Sequence, residues 1–127
     1  MENAQDSSLY FKMIDRIEKS EVPRVVIIKS LGEKSRGAVI GDGMAKTFLA
    51  AGANGFITDG SVRDIKDIIK AGLKTFGGGS VPNHYSLHWS GLGEPVTIGG
   101  ITIKTGDIVH GDSDGVIVIP EEGWGKV

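Results

Sequence analysis

The chain has no cysteine among its 127 residues. Disulfides, thiolate nucleophiles and cysteine-based zinc sites are therefore excluded. Any metal must be held by Asp, Glu, His and water, a donor set suited to hard divalent ions such as magnesium or manganese. An excess of one charge is also missing. The formal net charge is -2, so nothing at whole-chain level favours nucleic acid or an anionic membrane surface. No apolar run is long enough to span a bilayer. The opening stretch MENAQDSSLY lacks a basic segment followed by an apolar one, so no secretory signal is legible. The length suits a single domain, residues 1–127, and a cytoplasmic enzyme or binding protein is the expectation.

What is present is an ordinary globular mixture, with 39% hydrophobic and 24% charged residues. Glycine is abundant, at 20 residues, and falls in pairs and triplets without a period. That distribution points to tight turns and close backbone approaches rather than to a fibrous or low-complexity chain.

Hydrophobic periodicity predicts a helix over 7–21, with Leu9, Met13, Ile14 and Ile17 on one stripe and Ser7 or Ser8 as its cap. The β-branched run 24–30 reads as a buried strand. Residues 37–43 lead through glycines into a helix over 44–55 that Gly52 or Gly55 ends. A strand over 55–60 is followed by a second helix over 61–72, with Ile65, Ile68 and Ile69 on one face and Gly72 as its stop. A brief strand begins near 74 and gives way to a Gly/Ser/Pro-rich loop. VTIGGITIK, residues 96–104, is a hairpin signal centred on Gly99-Gly100. Turns at Gly106-Asp107 and Asp114-Gly115 precede a final apolar strand over 116–119. The middle of the chain thus predicts parallel βαβ pairing and the last third an antiparallel meander, an α/β fold.

Two strand-to-helix junctions carry the chemistry. In SVRDIKD, Ser61 followed by Asp64 fits a capping pattern, so Asp64 has a purely local reading: it satisfies amides in its own first helical turn. On that reading Arg63 and Asp67 are surface charges. The other reading comes from IGDGMAK, residues 40–46, where glycines flank Asp42 at the start of a helix whose amides can bind an anion. If the strands leading into the two junctions are parallel neighbours, Arg63 faces the amides of 41–44. A guanidinium fork and several amides then make a carboxylate cradle. Asp64 offers an oxygen to a divalent ion that polarises the keto group of a 2-oxo acid.

GDGMA, AAGANGFITDGSVRD and VTIGGITIKTGDIVHGDSDGVIVIP resemble the RraA-like family over about residues 20–120. The most specific element is Gly41, twenty-one residues, Arg63-Asp64, two residues, and Asp67. The family includes metal-dependent (class II) 4-hydroxy-4-methyl-2-oxoglutarate / 4-carboxy-4-hydroxy-2-oxoadipate aldolases, regulators of ribonuclease E, and members once labelled demethylmenaquinone methyltransferases. The resemblance implies an αββα sandwich of mixed strands like the swivelling phosphohistidine-type domain, assembled as trimers or hexamers with sites between subunits. It implies that Arg63 contacts the substrate carboxylate and keto oxygen, and that Asp64 ligates Mg2+ or Mn2+, with Asp67 supporting the metal through water. Gly41, Asp42, Gly43 and Met44 supply the carboxylate-binding loop, and Asp42 orients the water that protonates the pyruvate enolate. The reaction implied is cleavage of 4-hydroxy-2-oxo diacids to pyruvate, with oxaloacetate decarboxylation as a side activity. The alternative is a non-catalytic regulator that binds a ribonuclease or another protein. Asp67 favours the aldolase, because members of the regulator type often lack an acidic residue there. Family members usually extend further at both ends, and neither Glu121 nor Glu122 is assigned the metal-shell glutamate that a neighbouring subunit contributes.

His84 and His88 lie in a loop-type segment without an acidic third ligand and are not read as a metal site. His110, Asp112 and Asp114 read as turn residues. Trp89 and Trp124 suit either a core or a subunit contact.

Overall fold

The computed structural model describes residues 4–20, 24–31, 38–80, 82, 91–112 and 115–119. Two compact units are present, Met1–Leu92 and Gly93–Val127. The architecture is mixed α/β, with parallel strands in the first unit and antiparallel strands in the second.

The first unit runs α1 (Ala4–Glu18), β1 (Arg24–Ile28), β2 (Ala38–Ile40), α2 (Asp42–Ala51), β3 (Ala53–Thr58), β4 (Ser61–Val62), α3 (Ile65–Ala71), β5 (Lys74–Phe76) and β6 (Gly79–Ser80). Its strands form two three-stranded sheets, ordered β1-β3-β5 and β2-β4-β6. All pairings are parallel. The chain therefore alternates between the sheets, with odd strands in one and even strands in the other.

The core follows from where the apolar residues fall. Ile17 of α1 is buried and Tyr10, Met13 and Ile14 pack against the same cluster, so three residues of the predicted stripe meet the core, joined by Tyr10 rather than Leu9. The helix begins at Ala4, which places Ser7 and Ser8 inside it rather than at its cap. Ala45, Phe48 and Ala51 give α2 one buried face at 3–4 residue spacing. Phe48 stacks on Phe56 of β3 with ring centroids 5.6 Å apart and planes 17° off parallel. Both rings are fully buried. Phe48→Ala is expected to cost about 3–5 kcal/mol of unfolding free energy, the usual range when a buried aromatic leaves a cavity. Urea denaturation measures it.

Gly52 and Gly72 end α2 and α3 in the left-handed conformation, donating their amides back to the last-turn carbonyls. The predicted start of α3 is corrected. Ser61 and Val62 form β4 on β2, and the helix begins at Ile65. Ser61 is buried in that strand and is not its cap. Strand pairing thus outcompetes the local capping pattern.

The second unit holds two antiparallel hairpin pairs. β7 (Val96–Ile98) pairs with β8 (Ile101–Ile103) across Gly99-Gly100, which have φ 58° and 81°. Two successive positive φ values are what a two-residue type I′ turn requires. β9 (Ile108–Asp112) pairs with β10 (Gly115–Ile119). His110 lies inside β9 opposite Ile117 and is not a turn residue; antiparallel pairing with β10 overrides the flanking turn chemistry. Asp112 ends the strand, while Asp114, His84, His88, Trp89, Glu121, Glu122 and Trp124 fall outside the described residues. Among the described residues, no helix is long and apolar enough to cross a membrane.

Candidate functional site

The stretches 41–44 and 63–64 converge. The pairing of β2 with β4 brings them together, so the predicted proximity arises from a two-residue strand rather than from 55–60, which belongs to the other sheet. The Arg63 amide extends the ladder by donating to the Ile40 carbonyl at 3.0 Å. Arg63 therefore leaves its sheet beside the point where Gly41 leaves the neighbouring strand.

Gly41 is the N-cap residue of α2. It is buried, and the Arg63 guanidinium lies over it. A Cβ built on Gly41 would stand 2.9 Å from Arg63 Cζ and Nε and 3.0 Å from its Nη2. That is closer than real side-chain carbons approach, so only glycine admits this arrangement. The Gly41 backbone, at φ -127° and ψ -173°, is ordinary extended chain. Close approach, not conformational freedom, is what requires glycine here.

Asp64 is the one described non-glycine residue with positive φ, at 56°. Side chains adopt this region at a cost, and Asp and Asn tolerate it best. Asp64 occupies the N-cap position of α3 but makes no side-chain hydrogen bond to that helix. Its carboxylate instead meets the Asp42 amide at 3.5 Å and Arg63 Nη1 at 3.3 Å. The local capping reading of Asp64 is thereby replaced: its carboxylate is directed at the start of α2. The Arg63 and Asp64 side chains are 30% and 33% exposed, so the pair stays open to a ligand and is worth little as a stabilising ion pair.

Asp42 opens α2, where a carboxylate complements the helix dipole. Its carboxyl is held below the usual range, first by a hydrogen bond shared with the Asp64 carboxyl, with desolvation opposing. Lys46, 3.7 Å away, and the Gly43 amide lower it further. Facing carboxylates repel unless a proton or a cation sits between them. This donor set, two acid oxygens beside open solvent, fits a hard divalent ion that keeps most of its waters. Among the described residues, no group of three or more His, Asp or Glu side chains gathers in metal-binding geometry.

The other expected residues are placed as follows. Gly43 is exposed, and a Cβ there would meet nothing within 4 Å. Met44 packs against the core, so only its backbone faces the question of ligand binding. Asp67 lies exposed in the first turn of α3. Its carboxylate has no hydrogen bond or ion pair among the described residues. The facing of Asp42 and Asp64 is the feature that reading the residues one junction at a time does not reveal.

The family model described as RraA-like, Aldolase/RraA, matches residues 2–118. A curated protein of Halalkalibacterium halodurans named "Putative 4-hydroxy-4-methyl-2-oxoglutarate aldolase" is 36% identical over 101 residues, covering 76% of this chain and 46% of that protein. One of the same name from Hahella chejuensis is 32% identical over 118 residues, covering 92% of this chain and 70% of that protein. Among solved structures, an uncharacterized protein from Pseudomonas syringae superposes with a TM-score of 0.72 at 30% identity, over 93% of this chain and 54% of that one. The RNA-processing inhibitor RraA from Thermus thermophilis superposes with a TM-score of 0.73 at 21% identity, over 87% of this chain and 67% of that one, a likeness of fold. The chain spans about half the length of the Halalkalibacterium and Pseudomonas proteins.

Proposed function

The chain belongs to the RraA-like family, and from that premise we propose that it is a divalent-metal-dependent aldolase that cleaves 4-hydroxy-2-oxo diacids to pyruvate and decarboxylates oxaloacetate as a side activity. The observation that carries the reading is the convergence of Arg63 and Asp64 on Gly41 and Asp42 at the start of α2. The aldolase names of relatives about 30% identical support the same chemistry.

In this reading the amides of Asp42, Gly43 and Met44, with Arg63, grip the carboxylate next to the keto group. Arg63 also faces the oxygen on which negative charge develops, where a fixed guanidinium lowers the barrier most. Asp64 would hold Mg2+ or Mn2+, and Asp67 would act through water. When bound, the ion supplies Lewis-acid stabilisation of the developing enolate charge. The 4-hydroxyl proton passes to water as C4 becomes the carbonyl of the departing fragment, and the C3–C4 bond breaks with its electron pair left on the pyruvate fragment. Asp42 orients the water that returns a proton to that carbon. No lysine nucleophile is needed. The same proposal includes a cytoplasmic trimer or hexamer with small 2-oxo acids as its ligands.

The test is pyruvate release from oxaloacetate and from 4-hydroxy-4-methyl-2-oxoglutarate. Turnover should vanish after EDTA treatment and return with Mg2+ or Mn2+. Turnover that EDTA leaves untouched removes the metal-dependent reading. Absence of turnover with either substrate and metal favours a binding module.

A further inference from the structure

Asp59 is a carboxylate that the proposed chemistry does not use, yet its side chain is only 11% exposed. It stands just past the end of β3 and reaches across to the end of β1. Its Oδ1 accepts the Ser30 amide at 2.7 Å, and its Oδ2 meets Lys29 Nζ at 3.4 Å. A largely buried carboxylate is costly unless charge-assisted bonds help compensate it, and these two contribute at one place in the fold. That place is where the chain passes from the odd-stranded sheet into the even-stranded one: β3 ends at Thr58 and β4 begins at Ser61.

The crossing is tight on every side. The Gly60 amide donates to Thr58 Oγ1 at 3.0 Å, and the Gly60 carbonyl accepts the Gly78 amide at 2.8 Å. A Cβ on Gly60 would stand 2.5 Å from Val39 Cγ2 and 3.0 Å from Ser30 Cβ. A Cβ on Gly78 would collide with the Asp59 carbonyl oxygen. Three residues after this crossing come the Arg63 amide bonded to Ile40 and the guanidinium over Gly41. β4 has only two residues and cannot set its own register strongly.

We propose that Asp59 is a positioning residue: by tying the end of β3 to the Ser30 amide and the Lys29 side chain, it sets the register in which Arg63 and Asp64 reach Gly41 and Asp42. The catalytic part of this inference rests on the aldolase reading. The geometric part does not.

The experiment compares Asp59→Asn, Asp59→Ala and Lys29→Ala with wild type. Asn keeps an acceptor for the Ser30 amide; Ala removes it. Amide hydrogen exchange at Arg63 and Gly78 is followed by NMR, alongside pyruvate release at a temperature where all variants are folded. Asp59→Ala should lose at least tenfold of the protection at Arg63 and about a hundredfold in kcat/KM, the scale of a misplacement near 1 Å. Asp59→Asn should rescue both to within about threefold. Lys29→Ala should resemble Asp59→Asn. Wild-type protection at Arg63 in Asp59→Ala overturns the proposal. So does a loss in Asp59→Asn as large as in Asp59→Ala, since the Ser30 acceptor would not then be what matters. If the wild type releases no pyruvate at all, the aldolase reading fails, and the exchange data still judge Asp59.

Discussion

Gly41→Ala is expected to lower kcat/KM for pyruvate release by about a hundredfold, the scale of a misplaced charge-stabilising group, while leaving thermal stability close to wild type. The two halves of that expectation come from different observations. The Gly41 backbone is extended and allowed to alanine, so the substitution introduces no dihedral strain. The three atoms nearest the new methyl all belong to the Arg63 guanidinium. A half-exposed arginine end can swing away at little cost, so the fold survives and the cradle does not. Activity assays and a thermal melt on the same preparation decide the matter. Wild-type turnover in Gly41→Ala means that the guanidinium's place over Gly41 has no part in the chemistry.

Asp64→Asn should have the larger effect. Asparagine is nearly isosteric and tolerates left-handed φ, so the backbone at 56° is retained. The lost charge leaves Asp42 without its carboxylate partner and removes the proposed metal ligand. Mn2+ affinity should weaken by more than about tenfold, and kcat/KM should fall by about a thousandfold. Asp64→Ala adds a stability defect of about 1 kcal/mol, because alanine pays for left-handed φ. A melting temperature some 4 °C lower reports it. Asp64→Gly removes that conformational cost and should melt no lower than wild type. Titration of Mn2+ followed by its electron paramagnetic resonance signal separates ligand loss from unfolding. Unchanged Mn2+ binding in Asp64→Asn would move the metal away from this residue.

Much of this site is legible in the residues because the features that build it are local. Gly41-Asp42-Gly43 marks a helix start, and Gly52 and Gly72 mark helix ends through the left-handed backbone that glycine meets. Gly99-Gly100 between alternating apolar runs marks a hairpin for the same reason. The buried stripe of α1 and the strand Arg24–Ile28 are carried by hydrophobic pattern alone. What stays hidden depends on partners distant in the chain. Ser61–Val62 and Gly79–Ser80 are too short to show a period, and they become strands only by pairing with each other and with β2. Missing β4 moves the apparent start of α3 back to Ser61 and turns Asp64 into a local cap. The facing of Asp42 and Asp64 has the same origin: twenty-two positions separate them, and only the β2–β4 ladder closes the gap.

The alternation of odd and even strands bears on how this region can assemble. Between Arg24 and Ser80 the chain weaves, so neither sheet occupies a continuous stretch that could form first and wait for the other. Parallel partners such as β1 and β3 meet only after the intervening β2 and α2 have been laid down. Loop closure must then be met for both sheets at once, which makes for slow, all-or-none folding. A backbone nick between Ile40 and Lys74 severs both sheets together. The carboxylate cradle comes into being only in the same cooperative step that completes the weave.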